Sequence, residues 1–221
     1  MQRVLLTGAA GDIGGRLRRL LKPVYPELRL SDIRKPADLR PDEPFVAADL
    51  ARLEEVETAV EDIEGIIHLG GHSVEGTWDT ILQANIVGCY NLFEAARRKG
   101  VKRVVFASSN HAVGFYPRFH RIGVDVTVRP DSRYGVSKAF GEALGSLYAD
   151  KHGLRVLCLR IGNVGDRPLD HVAARVAALD WAHLRGPDSQ KTSHRHPSSG
   201  NYRRRRCKVH AFKDWLASHL W

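Results

Sequence analysis

Apolar residues along the chain fall alternately into short unbroken runs and longer stretches with helical spacing. The runs Arg3 to Leu6, Leu28 to Ser31, Phe45 to Ala48, Gly65 to Leu69, Val101 to Ala107 and Leu154 to Arg160 are β-branched or leucine-rich. Such runs predict strands buried on both faces. Helices are predicted between them, over Asp12 to Leu21, Arg52 to Val60, Thr77 to Lys99 and Arg133 to His152. In the third helix Ile81, Leu82, Ile86, Tyr90 and Phe93 share a face, and Lys99-Gly100 supplies a C-terminal stop. A βαβα rhythm of this kind predicts an α/β fold, a doubly wound parallel sheet with helices on both faces.

The rhythm stops after Arg160. Val172 to Leu179 keeps helical spacing, but Arg185 to Arg206 is polar, rich in Ser and His, and ends in RRRR. A segment with so little apolar surface cannot offset its ordering entropy, so residues 171–221 are expected to be an irregular, largely disordered tail. Lys208 to Trp221 is expected to form a short terminal helix. Charge sharpens this division. Of the formal +9, residues 171–221 contribute 10 Lys and Arg against 3 Asp and Glu, leaving 24 against 22 in residues 1–170. The body is therefore nearly neutral, and nucleic acid is not the expected partner despite the RRRR run.

Three cysteines, Cys89, Cys158 and Cys207, show no metal-ligand spacing, so no metal is expected and a reducing, cytoplasmic location is the default. No run approaches the length of a membrane helix, and MQRVLLTGAAG reads as a first strand rather than a leader.

Chemistry enters with TGAAGDIG, in which Gly8, Gly11 and Gly14 follow a strand and open a helix. Glycines at this spacing allow a tight turn, close approach of a pyrophosphate and close packing of helix on sheet, the Rossmann-type arrangement. Asp32 lies 18 residues past Gly14 at the tip of the second strand, placed to accept from a ribose diol. Its charge favours NAD over NADP, with Arg34 as the counter-signal. Asp49-Leu50 falls near the adenine, and Asp49 also suits a helix cap before Ala51.

Tyr134 and Lys138, four apart on a predicted helix, share a face. A neighbouring ammonium and a bound nicotinamide cation would both favour a phenolate. The stretch Ser108, Ser109, Asn110, His111 is expected just beyond the tip of the fifth strand, where ligands sit in open α/β sheets. The same four residues would also suit a polar turn. His68, inside the apolar run GIIHL, reads as a satisfied core histidine, and His72 is unassigned.

Together TGAAGDIG, Asp32, the helix bearing Asn85, Ser109, and Tyr134 with Lys138 resemble the extended branch of the short-chain dehydrogenase/reductase superfamily, the NAD-dependent epimerase/dehydratase group. The resemblance implies that Ser109 polarises a reacting hydroxyl or carbonyl, Tyr134 moves its proton, and Lys138 lowers the Tyr pKa while holding the nicotinamide ribose. Within that branch HLGGHSVEGTW (68–78), FASSNHAVGFYP (106–117) and RPDSRYGVSKAFGE (129–142) resemble the uronate dehydrogenases. That implies NAD-dependent oxidation of galacturonate or glucuronate at C1 to an aldarolactone. Substrate contacts are then expected from Ser73, Ser109, Asn110, His111 and Asn163. Cofactor contacts are expected from Gly8, Gly11, Asp12, Ile13, Gly14, Asp32, Ile33, Arg34, Asp49, Leu50, Leu69, Gly70, Gly71, Asn85, Ser108, Tyr134, Lys138 and Ile161. A homo-oligomer acting on a small sugar acid, away from membranes, is compatible with this reading.

The resemblance runs from about Met1 to Gly162, follows GDRPLDH loosely and departs at about Val172. The NAD-binding domain with its catalytic residues is thus expected over 1–170, with 171–221 standing where the family carries substrate-binding elements. No Arg occupies the neighbourhood of Val172, where the family places one against the uronate carboxylate; Arg167 and Arg175 are nearest. Two origins suit the tail. One is a shifted reading frame of an ancestral gene, testable by sequencing the locus; the other is a basic segment for RNA or an acidic partner.

Overall fold

The computed structural model describes residues 2–117, 119–162 and 164, together with the backbone of Lys208–Ala211. Seven strands form one parallel sheet in the order β3-β2-β1-β4-β5-β6-β7. They are β1 (Arg3–Thr7), β2 (Glu27–Asp32), β3 (Phe45–Ala47), β4 (Gly65–His68), β5 (Arg103–Ser109), β6 (Arg155–Ile161) and β7 (Lys208–Ala211). The order reverses between β1 and β4, which opens a crevice at the strand C-termini, where ligands bind in open sheets.

Alternate residues of each strand serve the two faces. On one face Leu5, Ile66, Val104, Phe106, Val156 and Cys158 pack under α2 (Leu53–Ala59), α4 (Gly88–Arg98) and α5 (Arg133–His152), through Val56, Leu92, Phe93 and Tyr148. On the other, Val4, Leu6, Leu28, Leu30 and Ile67 pack with Leu17 and Leu21 of α1 (Asp12–Leu21). This is the doubly wound arrangement that the alternating runs predict. The remaining helix, α3 (Trp78–Ile81), continues through a π-helical stretch, Leu82–Val87, into α4. Hydrophobic spacing alone predicts one α-helix there and does not reveal the π stretch.

Two strands begin later than predicted, for one physical reason. Gly100 and Gly153 close α4 and α5 in the left-handed conformation, at φ 71° and 73°. The following residues then bond back into the helix: the Val101 N–H donates to the Ala96 carbonyl at 2.9 Å, and the Leu154 N–H to the Tyr148 carbonyl at 3.2 Å. Val101 and Leu154 are thus buried as helix-ending plugs, and the strands start at Arg103 and Arg155.

Three further expectations are corrected. Strand β5 runs on through Ser108 and Ser109, so only Asn110 and His111 of the polar quartet lie past its end, in a 3-10 turn over Asn110–Val113. Asp49 is not the cap of α2, whose N-cap is Arg52; its carboxylate instead folds back to accept the Ala51 N–H at 2.9 Å. Lys208–Ala211 is a strand rather than part of a helix: it pairs in parallel with β6, Leu157 opposite Lys208 and Arg160 opposite Ala211. The expected disorder over Arg185 to Arg206 lies outside the described residues. Among the described residues no helix is long and apolar enough to cross a membrane.

Candidate active site

The turn after β1 forms the first part of the site. Gly8 has φ 70°, and a Cβ there would lie 2.7 Å from the Leu69 carbonyl carbon. A Cβ on Gly14 would lie 2.0 Å from the Gly8 oxygen. Both positions therefore require glycine, and their bare backbone leaves a shallow cradle at the start of α1. Gly11 is the extended N-cap of that helix, so the first-turn N–H groups of Asp12, Ile13 and Gly14 face outward toward an incoming anion. The Asp12 side chain is turned to Arg16, with Arg16 Nε donating at 3.1 Å. Asp32, at the tip of β2, accepts from the Ala10 N–H at 3.0 Å and the Arg34 N–H at 3.3 Å. Its carboxylate is thereby tied to the glycine turn, while Ile33 and Arg34 stand exposed beside it.

The loop after β4 closes the other side of the crevice. His68 is buried and its Nδ1 meets the Thr7 hydroxyl at 2.7 Å; burial drives its pKa down to about 3, so it is a neutral core histidine, as expected. The Thr7 hydroxyl also accepts the Gly70 N–H at 3.2 Å. Leu69, Gly70 and Gly71 then run past the cradle, with the Leu50 side chain packed against Gly70. Asn85, inside the π stretch, fastens this loop: its Oδ1 accepts the His72 N–H at 2.7 Å, and its Nδ2 donates to the His72 carbonyl at 2.9 Å and the Ser137 hydroxyl at 3.0 Å. Ser137 in turn donates to the Tyr134 carbonyl at 2.7 Å. Asn85 thus couples the loop to the helix that carries Tyr134 and acts through its neighbours.

Tyr134 and Lys138 share a face of α5, as predicted from their spacing. Lys138 is buried, with Nζ 5.1 Å from the Phe106 ring centre and 5.4 Å from that of Tyr134. Desolvation brings its pKa down to about 8. Tyr134 differs from expectation. Burial raises its pKa above the usual tyrosine value, and the opposing influence is a hydrogen bond with Ser109 rather than the lysine. The ammonium lies over the phenol ring, not at the oxygen. Ser109 meets Tyr134 and also accepts the His111 N–H at 3.2 Å while donating to Asn110 Oδ1 at 3.1 Å. Ser108 points to the opposite face and donates to Glu142 at 2.6 Å. Glu142 also holds Arg160 bidentately, at 2.9 and 2.8 Å, so Ser108 belongs to a buried polar network. Ile161 lines an apolar cavity with Leu17, Leu69, Val105, Ala107 and Leu159.

Beyond the tip of β5, Asn110 and His111 are exposed and next to Ser109. The His111 and Tyr134 rings meet edge to face, 5.7 Å apart. Ser73 is exposed in the loop that Asn85 fastens, and Asn163 lies outside the described residues.

Sequence reasoning missed Glu75, Asp131 and Glu142. Glu75 accepts Arg133 Nη1 and the Tyr134 N–H, each at 3.1 Å, and so docks the Ser73 loop on the start of α5. Asp131 holds His111 Nδ1 at 2.9 Å. The signal for Asp131 was its place directly before a helix-capping serine, but its partner lies 20 residues away and no local pattern names it. Among the described residues no cluster of three or more His, Cys, Asp or Glu side chains could hold a metal ion.

The chain is 49% identical to uronate dehydrogenase of Agrobacterium fabrum over 168 residues, 76% of this chain and 63% of that one. Its fold superposes with a TM-score of 0.73 on glucuronic acid dehydrogenase from Chromohalobacter salexigens, at 52% identity over 76% of this chain and 63% of that one. The TM-score is also 0.73 with a mutant of uronate dehydrogenase from Agrobacterium tumefaciens complexed with NAD, at 44% identity over 80% of this chain and 71% of that one. The chain spans about six tenths of the length of the curated uronate dehydrogenases it matches. The family model described as NAD dependent epimerase/dehydratase matches residues 4–185, and with the glycine cradle, Ser109, Tyr134 and Lys138 gathered at one sheet edge, the chain belongs to that family.

Proposed function

We propose that the chain binds NAD at the C-terminal edge of the sheet and oxidises a uronic acid, galacturonate or glucuronate, at C1 to its aldarolactone. The observation that carries this reading is the meeting of Ser109, Tyr134 and Lys138 with Asn110 and His111 around the end of β5, beside the glycine cradle. The names of the relatives above, uronate dehydrogenase and glucuronic acid dehydrogenase, supply the substrate class, and the NAD in one of those structures supplies the cofactor.

The cradle suits a dinucleotide. Backbone lines the room left by Gly8 and Gly14, the first-turn N–H groups of α1 face it, and the Asp32 carboxylate favours a 2′-hydroxyl over a 2′-phosphate. When bound, NAD supplies the acceptor for the hydride that leaves C1. Tyr134 takes the proton of the C1 hydroxyl and Ser109 hydrogen-bonds the same oxygen. Because burial holds the phenol above its ordinary range, positive charge from Lys138 and the oxidised cofactor has to offset it. Ser73, Asn110 and His111 supply short polar contacts to the sugar hydroxyls, and such a site rejects analogues that lack the matching group.

The test compares NADH formation from galacturonate and glucuronate with that from galactose and glucose. The expected result is net NADH from a uronate at a rate at least ~10-fold above the neutral sugars. NAD binding without net NADH from any of them overturns the assignment.

A further inference from the structure

Asp131 holds His111 at two points, its backbone and its ring. The Asp131 N–H donates to the His111 carbonyl at 3.3 Å, and the Asp131 carboxylate faces His111 Nδ1 at 2.9 Å through Oδ1 and 3.1 Å through Oδ2. The carboxylate has little freedom. The Ser132 hydroxyl, which caps α5 by accepting the Gly135 N–H at 3.0 Å, donates to Asp131 Oδ1 at 2.9 Å. On its other side the chain passes so closely that a Cβ on Gly114 would lie 1.9 Å from Asp131 Oδ2. Burial pushes the Asp131 carboxyl up, but hydrogen bonds from His111 and Ser132 outweigh it and hold it below the ordinary carboxylate value. It is thus an anion at neutral pH, able only to accept. Among the described residues no hydrogen bond is made to His111 Nε2, on the far side of the ring, and that ring lies against Tyr134.

We propose that Asp131 is a positioning residue that holds a proton on His111 Nδ1, so that the uncharged ring presents Nε2 to the substrate as a bare acceptor and selects a sugar hydroxyl rather than the carboxylate. A neutral imidazole has one donor nitrogen and one acceptor nitrogen, and an anion bound at Nδ1 decides which is which. Among the described residues no other group hydrogen-bonds a ring nitrogen of His111, so without Asp131 that choice is unset. An Nε2–H would turn a donor toward the site and leave a hydroxyl in its donating orientation unmatched. This inference rests on the reading of His111 as a substrate contact.

The test is nitrogen-15 NMR of the imidazole side chains in the full chain at pH about 8, above the ordinary His pKa of about 6.5, with a His111→Gln variant to assign the resonance. The expected result is a neutral His111 ring with its proton on Nδ1 in the wild type. The same state is expected in Asp131→Asn, whose Oδ1 still accepts, and a shift toward Nε2–H in Asp131→Ala. A wild-type ring with its proton on Nε2, or on both nitrogens, overturns the proposal. In parallel, Asp131→Ala is expected to lower kcat/KM for the uronate by ~10–100-fold, the scale known for carboxylates behind metal-ligating histidines, with NAD affinity unchanged within about twofold. Asp131→Asn is expected to recover most of that loss, and equal losses in the two variants count against the positioning role. Because the tautomer is read without substrate, a chain that turns over no sugar refutes the proposed reaction while the NMR result still decides the role of Asp131.

Discussion

Lys138 carries a buried ammonium against the rings of Phe106 and Tyr134, and burial brings its pKa down to about 8. The unfolded chain holds that proton to about 10.4, so below pH about 8 the folded state bears a penalty of about 3 kcal/mol, relieved as pH rises from about 8 to about 10.4. The prediction is that Lys138→Met, similar in length and uncharged, raises the melting temperature at pH 7 by about 6–12 °C while abolishing turnover. A melting temperature that falls would mean that the ammonium is not a cost to the fold. At this scale the sequence could bring forward Ser109, Tyr134 and Lys138 because their placement depends on spacing along one helix and on one strand tip. It could not name Asp131 or Glu75, whose roles depend on partners 20 and 59 residues away, nor foresee that the lysine lies over the phenol ring.

The elements divide by how local their causes are. Helices α1 and α5 match their predicted limits because their ends are marked in the sequence, Ser132 capping α5 and Gly153 closing it. The starts of β5 and β6 were misplaced because an apolar residue after a left-handed glycine reads as strand when it is in fact the plug of a helix end. The π stretch has no sequence signature here, yet it carries Asn85, whose amide joins the loop after β4 to α5 through three hydrogen bonds. Asn85→Ala leaves the His72 backbone and Ser137 without these partners in a largely buried place, at an expected cost of about 2–4 kcal/mol. The variant is also expected to lose kcat more than NAD affinity, read by chemical denaturation, steady-state kinetics and calorimetric NAD titration. An unchanged kcat would remove Asn85 from the account of the site.

At the scale of the whole molecule, α4 and α5 pack together over one face of the sheet, and Glu94 joins them through a polar contact. It binds Arg97 and Arg98 on its own helix and accepts the Tyr148 hydroxyl of α5 at 2.9 Å. The Arg97 hydrogen bond, with help from Arg98 and Tyr148, holds its carboxyl down at about 2. A carboxyl depressed in this way stabilises the fold above its unfolded value of about 4.3 and loses that contribution as pH falls toward 2. Glu94→Gln is therefore expected to cost about 1–2 kcal/mol at pH 7 and to show a shallower loss of melting temperature between pH about 4.5 and 2. Parallel curves for the two proteins would contradict this. A doubly wound parallel sheet was readable from the alternation of runs, but its strand order and the place of β7 were not, because Lys208–Ala211 pairs with a strand some fifty residues earlier and lies in a basic tail.

The proposed reaction makes one claim that no structural role imitates: the hydrogen bound to C1 of the uronate leaves with its electron pair to the cofactor. Galacturonate carrying deuterium at C1, incubated with the full chain and NAD, tests it directly. The account predicts reduced cofactor carrying the deuterium at the nicotinamide ring, with formation abolished in Tyr134→Phe; reduced cofactor without the label, or none at all from a chain that binds NAD, would contradict it.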